Sequence, residues 1–135
     1  MFQVESIDHV ALLVRDVEGA ARWYQDVLGL DRLYREAWGS HPAVVGKGGT
    51  SLALFPVASH APNPPPGRDT LCVRHVAFRV DYTNFLAAQD ELNRRGIPFE
   101  FQDHQAAHSV YFDDPDGHHL EITTYELRGG PVPAR

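Results

Sequence analysis

The sequence predicts an α+β fold of two pseudo-symmetric βαβββ modules that form a curved mixed sheet around a cavity. Three observations predict it. When His9 is laid over His75, His9-Val10-Ala11-Leu12 falls on His75-Val76-Ala77-Phe78, and the two runs end in Val14-Arg15-Asp16 and Arg79-Val80-Asp81. Each run is followed by a segment whose apolar residues recur at helical spacing. After each helix come three short β-type segments bounded by turn residues.

The first module covers about residues 5–57. Its opening strand spans 7–14. The helix carries the stripe Val17, Ala20, Ala21, Tyr24, Val27 and Leu28, and Gly29 stops it. Strands are expected over 32–38, 43–46 and 51–55, with Gly46-Lys47-Gly48-Gly49 as a turn signal. Residues of about 58–70, with Pro62, Pro64, Pro65, Pro66 and Gly67, read as an extended connector.

The second module covers about 71–127. A strand over 73–80 leads to a helix with Phe85, Leu86, Ala88, Gln89 and Leu92 on its stripe, ended by Gly96 and Pro98. Strands follow over 99–102, 109–113 and 118–125. The last two are joined by Asp113-Asp114-Pro115-Asp116-Gly117, a hairpin signal because proline fixes one φ and glycine permits a positive one. Residues 128–135 read as a frayed tail.

A chain of 135 residues, 43% hydrophobic and 22% charged, suits one compact domain. Its net charge of −6 argues against nucleic acid, which calls for clustered lysine and arginine. The longest clean apolar run, 10–14, is too short to cross a bilayer, and the opening Met1-Phe2-Gln3-Val4-Glu5 does not resemble a leader. The single Cys72, within Leu71-Cys72-Val73, reads as a small buried hydrophobe on a strand. A reducing cytoplasmic setting is therefore expected.

Polar side chains on half-buried strands carry a desolvation penalty unless they are paired. His9, His75 and Glu121 are three such residues, and side-chain alternation puts all three on the strand face opposite the more uniform aliphatics. Superposing 51–55 on 119–123 makes Ala53 the counterpart of Glu121. Four repeat-related inward positions, 9, 53, 75 and 121, then hold three metal-binding side chains and one alanine. Two imidazoles and a carboxylate with positions left open match a catalytic divalent-metal site rather than a closed structural one.

These motifs resemble the vicinal oxygen chelate superfamily, which includes glyoxalase I, fosfomycin-resistance proteins, bleomycin-resistance proteins and extradiol dioxygenases. The resemblance rests on Asp8-His9-Val10, Trp23-Tyr24-Gln25-Asp26-Val27-Leu28-Gly29-Leu30, Arg74-His75-Val76-Ala77-Phe78 and the stretch from Asp113 to Glu121. It implies metal ligands His9, His75 and Glu121, with Fe(II) or Mn(II) favoured over Zn or Ni. It also implies a small-molecule substrate chelated through vicinal oxygens and a homodimer. Tyr111, ten residues before the glutamate, falls where ring-cleaving and fosfomycin-modifying members place a tyrosine.

An extradiol, catechol-type ring-cleaving dioxygenase is the function expected first. The alternatives are a fosfomycin-resistance-type thiol transferase or epoxide-opening enzyme, a glyoxalase-like lyase or isomerase, and a non-catalytic small-molecule binder. Glyoxalase I carries a fourth ligand where Ala53 stands. Fosfomycin-modifying members carry a hydroxyl residue where Ala11 stands, and a lysine in the loop corresponding to 101–109. Tyr111 is assigned as donor of a hydrogen bond to a metal-bound oxygen. His108 and His104 are candidates for proton transfer, since histidine titrates near neutral pH. His119 shares the parity of Glu121, and Tyr34, Trp38, Arg79, Thr123 and Tyr125 are candidate cavity-lining residues.

Overall fold

The computed structural model describes residues 1–128, and the expected tail over 129–135 lies outside the described residues. The chain divides into two compact units between Asn63 and Pro64, inside the proline-rich connector. Each is βαβββ and carries its own four-stranded mixed sheet.

The first unit runs β1 (Val10–Val14), α1 (Val17–Leu28), β2 (Asp31–Leu33), α2 (Arg35–Trp38), β3 (Ala43–Lys47) and β4 (Thr50–Pro56). The second runs β5 (Val76–Arg79), α3 (Tyr82–Arg94), β6 (Glu100–Asp103), β7 (His108–Asp113) and β8 (His119–Thr124). The sheet orders are β1-β4-β3-β2 and β5-β8-β7-β6. In each sheet the first strand lies parallel to the last, and the other pairings are antiparallel.

Both long helices start at an aspartate cap: Asp16 Oδ1 accepts from the Gly19 amide at 3.0 Å, and Asp81 Oδ1 from the Asn84 amide at 2.9 Å. Gly29 closes α1 in the left-handed region at φ 65°, as its place after the stripe predicts. Helix α1 packs Ala20, Ala21 and Tyr24 onto β3 and β4, while α3 turns Phe85, Gln89 and Leu92 inward and packs on β8. The helix-facing strand residues Leu52, Leu54, Val110, Phe112, Leu120 and Ile122 are buried. Burying each such side chain is worth about 1.5–3 kcal/mol, so this face holds each unit together.

The two turns expected from glycine are built as read. Gly48 and Gly49 take φ 57° and 84° between the paired Lys47 and Thr50, a two-residue hairpin open to few other residues. At the other, Asp114 Oδ1 accepts from the Asp116 and His118 amides, both at 2.9 Å, and Gly117 sits at φ 90°.

Three expectations are corrected. The strand expected over 32–38 ends at Leu33, because Tyr34 turns to φ 55° and starts the short α2. The Arg32 side chain anchors this corner, pairing both Glu18 oxygens at 2.9 and 3.1 Å and the Gly39 carbonyl at 3.0 Å. Cys72 is exposed rather than buried, because 71–73 belongs to the connector and lies outside the sheet. His9 and His75 stand one residue before β1 and β5 rather than within them.

Candidate metal centre

Register builds the site of the second unit row by row. Ala77 of β5 pairs with Glu121 of β8, which pairs with Tyr111 of β7. The next row on the same face is Arg79, Thr123 and Ser109. Alternation turns these side chains away from α3, and it sends Val110, Ile122 and Phe78 toward it.

Glu121 is the centre of the arrangement, a carboxylate in a residue only 7% exposed. Ser109 Oγ–H donates to its Oε2 at 2.6 Å, and Thr123 Oγ1 stands 3.0 Å from the same serine oxygen. His75 Nε2 lies 3.0 Å from the other carboxylate oxygen, Oε1. An imidazole and a carboxylate side by side are donor types that a divalent metal takes. The serine that fixes the far oxygen is the outer support such a carboxylate needs.

His9 belongs to the first unit. Its Nδ1 is tied to Asp8 Oδ2 at 2.9 Å, a carboxylate–histidine pair that would present Nε2 to a ligand. At the register of Glu121, the first unit has Ala53, paired with Ala11 and Val44. His75 and Glu121 are thus brought together, whereas no group of three or more His, Cys, Asp or Glu gathers among the described residues.

Tyr111 stands beside this pair, its ring edge-on to His75 at 5.7 Å between centroids. Burial first, and then the Glu121 charge and hydrogen bond, push its phenol above the ordinary tyrosine range, so it stays protonated at neutral pH. His104 Nε2 meets the phenolic oxygen at 2.8 Å. His75 and Tyr111 open into a cleft of about 1150 Å³, whose other walls include Arg74, Glu100, His118 and His119.

His108 is the site residue that the structure places elsewhere. Its ring packs edge-on against Phe101 at 5.3 Å, and Phe101 in turn against Phe85 of α3, so it lies on the helix side of the sheet. Odd positions of β7 face Glu121, and 108 is even; the alternation that placed the glutamate could have excluded it. Ser109 has the right parity, and its contact with Glu121 was missed because only pairing of the strands brings them together. His119 pairs with Asp113 at 2.6 Å, both exposed. Arg79 lies over the Tyr125 ring at 4.5 Å, while Tyr34 and Trp38 stack on each other in the first unit at 4.8 Å.

The family model described as Glyoxalase/Bleomycin resistance protein/Dioxygenase superfamily matches residues 6–122. The chain belongs to this superfamily. A metallothiol transferase FosB of Staphylococcus epidermidis is 28% identical over 132 residues, which span 93% of this chain and 86% of that protein. A glutathione transferase FosA of Serratia marcescens is 28% identical over 119 residues, 88% and 80% of the two chains. Among solved structures, a glyoxalase/dioxygenase from Nostoc punctiforme superposes with TM-score 0.76 at 27% identity, covering 90% of this chain and 92% of that one. Fosfomycin resistance protein FosX from Mesorhizobium loti, at TM-score 0.67 and 22% identity over 93% and 96% of the chains, shares the fold. The relatives' names favour the thiol-transferase alternative, and none of the curated ones quoted supports the ring-cleaving dioxygenase expected first. No described helix is long and apolar enough to cross a membrane.

Proposed function

We propose that the chain is a divalent-metal-dependent thiol transferase that adds a small thiol to an electrophilic small molecule bearing adjacent oxygens. The carrying observation is the His75–Glu121 pair, 3.0 Å apart, with Ser109 holding the second carboxylate oxygen on an otherwise open sheet face. Similarity to proteins named as thiol transferases over about nine-tenths of the chain supports this reaction over the others of the superfamily.

His75, Glu121 and His9 would hold the cation, with His9 supplied within the chain or by a second copy in a homodimer. When bound, the cation supplies Lewis acidity to a substrate oxygen. The protein's own groups do the rest. Ser109 keeps Glu121 in one orientation, so that Oε1 stays beside His75. The small Ala77 next to Glu121 leaves room for substrate. The Tyr111 hydroxyl, neutral at working pH, donates a hydrogen bond to a substrate oxygen.

With an epoxide, the thiol sulfur forms a bond to carbon, the carbon–oxygen bond breaks, and the oxygen takes up a proton as the thiol releases one. Sulfur and oxygen end as a thioether and a hydroxyl. The test is to load the purified protein with Mn(II), Fe(II), Zn(II) or Ni(II) and offer cysteine or glutathione with small epoxides. A product heavier by one thiol is expected by mass spectrometry. No adduct with any pair in protein shown to bind metal overturns the reading. A coloured ring-fission product from a catechol panel would restore the dioxygenase.

A further inference from the structure

The geometry points to His104 as a positioning residue that aims the Tyr111 hydroxyl at the substrate. No motif of the superfamily resemblance assigns this histidine, and it sits on a loop outside the metal set. The loop over 104–107 joins β6 to β7 directly after the paired Asp103 and His108. It is tightly built: the His104 amide donates to the Ala107 carbonyl and the Ala106 amide to the His104 carbonyl, both at 2.8 Å. The second bond spans only two residues and forces Gln105 to φ 70°, a turn that residues with a side chain seldom adopt. Asp103 Oδ1 holds the strained residue by accepting its amide at 2.8 Å. The result is an imidazole folded back over β7, with Nε2 2.8 Å from Tyr111 Oη and its ring perpendicular to the phenol at 88°.

A phenol has one hydrogen. Glu121 faces Tyr111 across the register, and a hydroxyl that serves the site turns that hydrogen toward the carboxylate side, where a substrate would bind. Nε2 of His104 is then the donor to the phenolic oxygen, and the hydroxyl is held as a donor pointing at whatever occupies the space beside Glu121. With His75 edge-on to the same ring, the phenol is set from two sides. Such fixing matters because a hydrogen bond made only at the reacting geometry depends on placement to within a fraction of an ångström.

The kinetic arm of the test rests on the thiol-transfer reading, whereas the spectroscopic arm does not. In metal-free protein, the ¹⁵N-histidine spectrum should show His104 protonated at Nε2, with its resonance shifted by Tyr111→Phe. In metal-loaded protein, His104→Leu should lower kcat about tenfold, with KM and metal affinity unchanged, the size expected for a lost supporting contact. His104→Gln, whose amide N–H reaches a similar place, should restore most of it. In a Tyr111→Phe background His104→Leu should cost nothing more, because the histidine acts through the phenol. A His104 resonance indifferent to Tyr111→Phe, equal losses in the Leu and Gln variants, or additive losses overturn the proposal. Wild-type protein without any thiol adduct but with the Nε2–H signature intact counts against the reaction and leaves the pairing standing.

Discussion

In the first unit Ala53 stands between Ala11 and Val44; at the same register of the second, Glu121 stands between Ala77 and Tyr111. Carried two residues further, the comparison sets Phe55 against Thr123. The helix-facing sides hardly differ: Leu52 and Leu54 match Leu120 and Ile122, and all are buried. One plan therefore has two faces with separate duties. The face against the helix is apolar in both units because it must be for either to fold. The opposite face is freed from that duty, and only the second unit fills it with hydrogen-bonded polar chemistry.

The contrast is broken most strongly at its centre. On the proposed reading, Glu121→Ala should reduce Mn(II) affinity about 1,000-fold, roughly 4 kcal/mol, since a few ligands share a binding free energy of 10 kcal/mol or more. Calorimetric titration would measure it, and near-normal affinity would remove Glu121 from the ligand set. The shared face predicts the opposite kind of result. Leu54→Ala and Ile122→Ala, at equivalent positions, should each destabilise by about 2–5 kcal/mol in urea unfolding. Metal affinity per folded molecule should not change in either, and a strong effect on it in the Ile122 variant alone would show that the two faces are coupled.

Ser109→Ala sharpens the comparison at lower cost. Leaving one Glu121 oxygen unsupported should weaken metal binding about 10- to 100-fold without removing it. An unchanged affinity would reduce the Ser109–Glu121 bond to a feature of packing.

The smallest effect belongs to the first unit, whose charged cluster lies at a corner and not on the ligand-facing side. Hydrogen bonds from Arg32 first, and from Ser40 next, hold the Glu18 carboxyl at about 2. Because that group is depressed when folded, its stabilisation is present above the unfolded carboxylate range near 4.5 and fades as pH falls toward 2. Glu18 is half-exposed, so the pair is worth about 1 kcal/mol at most. Glu18→Gln should lower the melting temperature slightly at pH 7, with the gap to wild type closing between pH 4.5 and 2. A gap that persists unchanged to pH 2 would show that shape, not charge, holds the corner.

Much of this was legible in the residues. The 3.6-residue stripe and the glycine after Leu28 located α1, and the repeat anticipated that Ala53 and Glu121 would occupy one register. The strand expected beyond Leu33 failed because a left-handed Tyr34 and a guanidinium reaching back to Glu18 override local β preference. Cys72 was misjudged because an apolar triplet reads alike in a strand and in an extended connector.

By itself the sequence determined the two βαβββ modules, the superfamily, and the parity that sets Glu121 on the face away from the helix, because periodicity and turn chemistry are local properties of the chain. Tertiary structure alone decided what surrounds that glutamate. Ser109 is twelve residues away along the chain and His75 forty-six, and only the pairing of β5, β7 and β8 carries them to the two oxygens of one carboxylate. Only the strained turn at Gln105 brings His104 onto Tyr111 and leaves His108, four residues on, facing the helix.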